Sequence, residues 1–208
     1  IMPTTLTGLR FAGDSPVAKW AIDQEYIVKF THQPTGHSVE FPANLQSFSD
    51  THTPSYNKQY GANTMDPTII LNSTDRKLNF SFTVLNSSLD EAKHNTQCVN
   101  LLIQMLYPLL DSEGAIIGSP YITIQVMNLV ESAIDTEGIL CIVSSIDYTM
   151  DLDSGVLNDN KGISSLNYSG KEIYPISLNI NIDATAVLER DAHGETFLPS
   201  TYPSYGGM

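Results

Sequence analysis

A mainly β chain with one flanking helix, an α+β arrangement built on an antiparallel β-barrel or sandwich, is predicted by three observations. Segments of strict polar/apolar alternation recur along the chain, clusters of turn-forming residues rather than helical crossovers separate them, and only the stretch 88–107 carries helical periodicity behind a capping signal. Strands joined by short turns pair antiparallel, and one amphipathic helix suffices to cover a flank of the sheet they form.

The clearest strand spans 76–85. Leu78, Phe80, Phe82 and Val84 share one parity, while Lys77, Asn79, Ser81 and Thr83 share the other, as in a strand with one dry face. Burying four such side chains is worth roughly 1.5–3 kcal/mol each before entropy is charged, so Phe80→Asp should abolish folding. Immediately after it, Ser88-Leu89-Asp90-Glu91 fits a capping box, with the Ser88 hydroxyl accepting a backbone N–H and Glu91 reaching back. Leu89, Ala92, Val99, Leu102, Ile103 and Leu106 fall near one helical face, and Glu91, Lys93, Asn95 and Asn100 mostly elsewhere. Tyr107-Pro108 closes the helix, because proline lacks an N–H and disfavours helix at the residue before it.

The other elements follow in order. Residues 1–25 read as an extended N-terminal arm punctuated by Gly8, Gly13 and Pro16. A hairpin joins 26–31 to 38–41 through Gln33-Pro34-Thr35-Gly36. The polar, aperiodic stretch 42–66 reads as a long loop ending in the sharp turn Met65-Asp66-Pro67. Residues 121–127 alternate, and Asp135-Thr136-Glu137-Gly138 turns the chain into the long strand 139–152. There the apolar parity passes from Ile139, Cys141 and Val143 to Ile146, Tyr148, Met150 and Leu152, so a bulge near Ser144-Ser145 must re-phase it. Residues 155–170 read as a polar loop, 172–183 as a last strand with Pro175 near its start, and 184–208 as an extended tail. The organisation is one β domain, 26–183, between an arm and a tail, without an internal repeat.

Composition narrows the function. Ten basic against twenty-three acidic residues leave a net charge of −13, and no basic patch gathers the cations, which disfavours grip on nucleic acid. No apolar run is long enough to span a membrane, and the first residues lack a signal-peptide pattern, so the chain reads as cytosolic at synthesis. Charged residues are 16% of the chain, below the roughly 25% usual for soluble domains, as expected where partners cover much of the surface. Cys98 and Cys141 read as small core residues rather than a disulfide framework.

No catalytic constellation emerges. A nucleophile elbow and a cysteine-protease signature are absent, and His32, His37, His52, His94 and His193 are scattered. Asp90 and Glu91 are explained by the helix start they occupy. Asp151, Asp153, Asn158, Asp159 and Asn160 crowd oxygen ligands into one stretch, but not at EF-hand spacing, and a solvated turn is the simpler reading. No cofactor and no metal site is assigned. The sequons at Asn72, Asn86 and Asn167 bear only on a secreted chain. Loop tyrosines such as Tyr56, Tyr60, Tyr202 and Tyr205 suit interfaces or anchors. A β-sandwich carbohydrate-binding or adhesin module is the alternative, though Trp20, the one Trp, falls in the arm.

One set of residues carries a resemblance. Phe41-Pro42-Ala43, Leu45, Ser47-Phe48-Ser49-Asp50, Tyr60-Gly61, Met65-Asp66-Pro67 and Thr74-Asp75-Arg76-Lys77-Leu78 leading into Phe80-Ser81-Phe82 resemble baseplate tube-initiator proteins of contractile-tailed bacteriophages. So do Leu101-Leu102-Ile103-Gln104-Met105-Leu106-Tyr107-Pro108, the hairpin 138–151 with Tyr148-Thr149, and Tyr174-Pro175. The similarity covers about 39–189 and rests on turns and core positions. It implies a fold of the tail-tube type and a non-enzymatic structural role in the virion. Copies would close by their sheet edges into a hexameric ring in the tail baseplate, between hub and tail tube. DNA would pass through the channel without specific binding, and assembly would take place in host cytoplasm. With only about twenty-five residues after the last strand, the chain departs from relatives that end in a cell-wall-binding module. In this setting the polar strand faces, with Asn79, Ser81, Thr83, Asn179, Asn181 and Asp183, are expected to line the channel. Phe48, Tyr56, Tyr60, Met65 and Asp66 are expected to make contacts between subunits.

Overall fold

The computed structural model describes residues 16–24, 26–60, 66–127, 129–130, 138–159 and 172–187. Their elements run α1 (Pro16–Asp23), β1 (Ile27–His32), β2 (Ser38–Pro42), β3 (Asn44–Gln59), β4 (Thr68–Leu85), α2 (Leu89–Gln104), β5 (Leu109–Leu110), β6 (Ile116–Gly118), β7 (Ile122–Val126), β8 (Ile139–Asp159) and β9 (Glu172–Ala186). Seven strands form one sheet in the order β2-β1-β7-β8-β9-β4-β3, every pairing antiparallel, and β5 with β6 forms a small separate hairpin.

The sheet curls without closing into a barrel. Three strands separate β1 from β4 in hydrogen-bonded order, yet Phe30 of β1 stacks on Phe80 and Phe82 of β4 with ring centroids 6.4 Å apart. Phe41 of β2 reaches Phe82 at 5.8 Å. The short strands thus lie over the long ones, and the fold is sandwich-like although one sheet supplies both layers. Helix α2 closes the remaining flank against β2, β8 and β9. The predicted dry face of β4 is fully buried at Leu78, Phe80, Phe82 and Val84, with Leu178, Ile180 and Ile182 of β9 beside it.

The N-cap of α2 is Ser88, whose Oγ accepts from the Glu91 N–H at 3.2 Å. The return contact goes one residue further back than a capping box requires, since Glu91 Oε2 accepts from the Ser87 N–H at 2.8 Å and from the Ser87 hydroxyl at 2.6 Å. The buried face differs from the one hydrophobicity selects, because it includes Glu91 and Asn95 alongside Ala92, Cys98, Val99 and Leu102. Asn95 Nδ2 donates to Asn86 Oδ1 at 2.7 Å, and Asn86 Nδ2 to the Pro175 carbonyl at 2.8 Å, so a polar chain pins the helix to the start of β9. Asn86 is only 4% exposed, which removes it as a sugar acceptor in the folded chain.

Other expectations are corrected. Residues 16–23 of the arm form a helix, with proline at its first position, where a missing N–H costs least. The stretch 42–66 is not a loop, for most of it is strand β3, hydrogen-bonded along β4 from Asn44 to Gln59. Its alternation is invisible in sequence because residues 51–60 are exposed on both faces, and a bulge between Leu45 and Ser47 breaks the parity before that. Strand β4 correspondingly begins at Thr68, eight residues before the alternation does. Helix α2 ends at Gln104, and a turn separates it from Pro108. Strand β8 runs on to Asp159 through a bulge between Asp151 and Val156, where Gly155 takes φ +99°. Gly138 opens β8 at φ +110°, and a Cβ there would lie 2.5 Å from the Ile124 carbonyl oxygen, so only glycine fits. The bulge expected near Ser144-Ser145 is present between Val143 and Ser145. The rest of the turn before Gly138, the remainder of the polar loop 155–170, and the tail from 188 onward lie outside the described residues.

Candidate functional site

Four long strands, in the order β8-β9-β4-β3, make a continuous wall with the core on one face. Its other face is polar, and the six residues expected there are direct cross-strand partners: Asn79 opposite Asp183, Ser81 opposite Asn181 and Thr83 opposite Asn179. The outer strands extend each pair into a row, Ser49-Asn79-Asp183-Ser145, Ser47-Ser81-Asn181-Asp147 and Asn44-Thr83-Asn179-Thr149. Sequence reasoning missed the β3 and β8 members, on β3 because the strand itself was hidden and on β8 because the bulge re-phases it.

The rows are knit laterally. Ser47 and Ser81 hydroxyls meet at 2.6 Å, Thr83 Oγ1 donates to Asn179 Oδ1 at 2.7 Å while accepting from Gln46 Nε2, and Ser145 Oγ donates to Asp183 Oδ2 at 3.0 Å. With its amide nitrogen toward the carboxylate, Asn79 donates to Asp183 Oδ1 at 3.0 Å. Short side chains held by neighbours make a smooth hydrogen-bonding surface, and the only charges within these three rows are the carboxylates of Asp147 and Asp183.

Both lateral edges of this wall are open among the described residues. Strand β3 pairs only with β4, and β8 beyond Cys141 pairs only with β9. At the β8 edge the core is unfinished: Tyr148 and Met150 face the same side as Ile180 and Leu178, yet are 46% and 44% exposed. At the β3 edge Leu45 and Phe48 are half-buried against the core cluster. Each edge therefore offers free backbone groups beside an incompletely covered apolar strip.

Beyond Lys77, β4 loses its partner β9, and β3 with β4 continue as a two-stranded arm. Tyr56 and Tyr60 are exposed on it, as are Ile69, Ile70 and Leu71. Asp66 is exposed at the base of the arm's tip, and Met65 lies outside the described residues. Phe48, by contrast, sits on the body opposite Phe80. Where the arm leaves the body, Arg76 grips Asp50 with Nε to Oδ1 at 3.0 Å and Nη2 to Oδ2 at 2.7 Å, both side chains being 4% exposed. His52 Nε2 lies 3.3 Å from the same carboxylate.

The titratable groups elsewhere have structural surroundings. Burial pushes the Cys98 thiol up to about 12. His32 is buried at the β1–β2 turn with Nδ1 2.8 Å from Thr35 Oγ1, and burial, then the nearby His37, lowers its pKa. The Asp151 carboxylate accepts from the Ser154 hydroxyl and from the Asp153 N–H at 3.1 Å, and the Ser154 contact comes first in lowering its pKa. The Asp151 carboxylate is thus engaged by the bulge that follows it. Among the described residues no three His, Cys, Asp or Glu side chains gather as metal ligands, and no helix is long and apolar enough to cross a membrane.

No family model matches the chain, and no curated protein matches it. Among solved structures, a chain from the tail of an empty GTA particle refined with C6 symmetry is similar over 79% of this chain and 92% of its own, at 8% identity and a TM-score of 0.35. A chain of the six-fold symmetrised anti-feeding prophage baseplate is similar over 77% of this chain and 87% of its own, at 11% identity and a TM-score of 0.31.

Proposed function

We propose that this chain is a structural protein of a contractile phage tail, forming a ring in the baseplate that initiates or continues the tail tube around the DNA channel. The observation that carries the reading is the four-stranded wall, polar on one face and, among the described residues, open at both edges. In the order β8-β9-β4-β3 with alternating strand direction, β8 of one copy meets β3 of the next antiparallel, so head-to-tail pairing continues the same sheet. The junction also brings Tyr148 and Met150 toward the neighbour's half-buried Leu45 and Phe48, extending the core across it. Ring closure removes both free edges at once.

The number six comes from the sequence resemblance. Six copies of the four-stranded wall, at about 4.8 Å per strand, give a backbone cylinder about 37 Å across before tilt widens it. The three polar rows then face the bore, with Asn79, Ser81, Thr83, Asn179, Asn181 and Asp183 in its lining. Six chains at −13 each carry −78, so passing DNA is repelled from the wall rather than held by it. The arm, with Tyr56, Tyr60 and Asp66, projects along the strand direction and is assigned to contact with the neighbouring ring, tube or hub. Phe48 is assigned to the junction between copies within the ring.

Electron microscopy of the chain co-expressed with its genomic neighbours tests the reading. Six-fold rings with a central bore, attached to hub or tube, are expected. Monomeric particles beside assembled neighbours would overturn it.

A further inference from the structure

At the end of the wall away from the arm lies an open cavity of about 310 Å³ whose walls include Trp20, Tyr26, Ala43, Asn44, Thr83 and Leu85. Trp20 and Tyr26 stack nearly parallel, 5.2 Å between centroids, yet remain 57% and 41% exposed. The wall is preformed: the Tyr26 N–H donates to the Ala21 carbonyl at 2.9 Å, and the Ala43 N–H to the Tyr26 carbonyl at 3.0 Å. Among the described residues that line the cavity none is charged. An aromatic groove of this size suits an extended segment rich in proline and aromatic residues.

The chain carries one such segment. Residues 197–205 read Phe-Leu-Pro-Ser-Thr-Tyr-Pro-Ser-Tyr, and from Thr196 to Met208 there is no charged residue in a chain that is otherwise strongly acidic. These residues lie outside the described ones, so reach decides whether they can arrive. Val187, the last described residue, directly follows β9, and Asn179, the partner of Thr83, lies eight residues back, about 26 Å along the strand. The ten steps from Val187 to Phe197 span up to about 33 Å, which covers that distance and the one-strand offset.

We infer that segment 197–205 docks in the Trp20–Tyr26 cavity of its own chain. The inference goes beyond the ring reading and does not depend on it. A short tether holds the segment at about millimolar effective concentration, so weak intrinsic affinity is enough. In a closed ring the six segments would lie at one mouth of the bore.

Trp20, the single tryptophan, reports on the cavity without labelling. Its emission and its quenching by acrylamide are measured in the full chain, in a chain ending at Thr196, and in the full chain with Leu85→Glu, which puts a charge on a half-exposed wall position. Removing residues 197–208 is expected to shift emission to longer wavelength and steepen quenching. A peptide of sequence 197–205 at about 1 mM should reverse both. Leu85→Glu in the full chain should reproduce the truncated spectrum, and protection should survive dilution. Equal quenching in full and truncated chains, or an unchanged spectrum with Leu85→Glu, overturns the inference. Protection that vanishes on dilution also overturns it, because the segment then comes from a second copy.

Discussion

Arg76 occupies a core-face position of β4, next to Leu78, and its charge is tolerated there because Asp50 receives it through two guanidinium nitrogens. Removing one partner of a buried pair strands the other, so Arg76→Ala should cost about 3 kcal/mol in urea unfolding, and Asp50→Leu with Arg76→Met much less. Parity puts Arg76 on the dry face, but the partner that lets its charge stay there is a β3 residue twenty-six positions away, which no local spacing announces. His32 gives the pH dependence. Its folded pKa lies below the unfolded value near 6.5, so between the two the unfolded chain binds the extra proton. Its contribution is therefore present above about pH 6.5 and lost as pH falls through the folded pKa. Thermal midpoints measured from pH 8 to 5 should decline in that window, and His32→Gln should flatten the decline.

Among the elements, the β3–β4 arm departs furthest from what a two-stranded hairpin tolerates alone in water. Its apolar Ile69 and Leu71 are 59% and 56% exposed on one face, so they add little to the stability of the free chain. Ile69→Ser with Leu71→Ser should change unfolding free energy by less than about 0.5 kcal/mol per site while reducing attachment of rings to tube or hub in electron micrographs. A fold-stabilising role would give the reverse. Strands β1, β2, β7 and β9 and the start of α2 were legible because each has a dry face or a local cap. Strand β3 was not, because strand alternation is written in hydrophobicity only where one face is buried: from Thr51 onward neither face is, and before that a bulge breaks the parity. The buried face of α2 was misjudged for a related reason: Asn95 is buried by its bond to Asn86, a partner that no periodicity announces.

At the scale of the whole molecule, the net charge of −13 sets identical copies against one another over distances up to about a Debye length. Ring formation by the isolated chain should therefore rise as ionic strength goes from about 0.01 to 0.15 M, measured by sedimentation, because screening shortens the repulsion from about 30 to 8 Å while edge hydrogen bonds are unaffected. The six candidate wall residues share the polar parity of their strands. The structure brings them into three adjacent cross-strand pairs, and whether they face a bore is what the ring images decide.

The sequence by itself determined the β character, the dry faces of β4 and β9, the helix start at Ser88 and the re-phasing bulge at Ser144-Ser145, because each depends on neighbours within a few residues along the chain. Only the tertiary structure decided that the sheet curls without closing, that residues 44–59 are a strand, and that among the described residues two long edges stay unpaired while Tyr148 and Met150 stay half-exposed. Those features depend on which distant strands pair and how far each pairing runs, and hydrogen bonds between backbones leave no mark on the side chains that a sequence records.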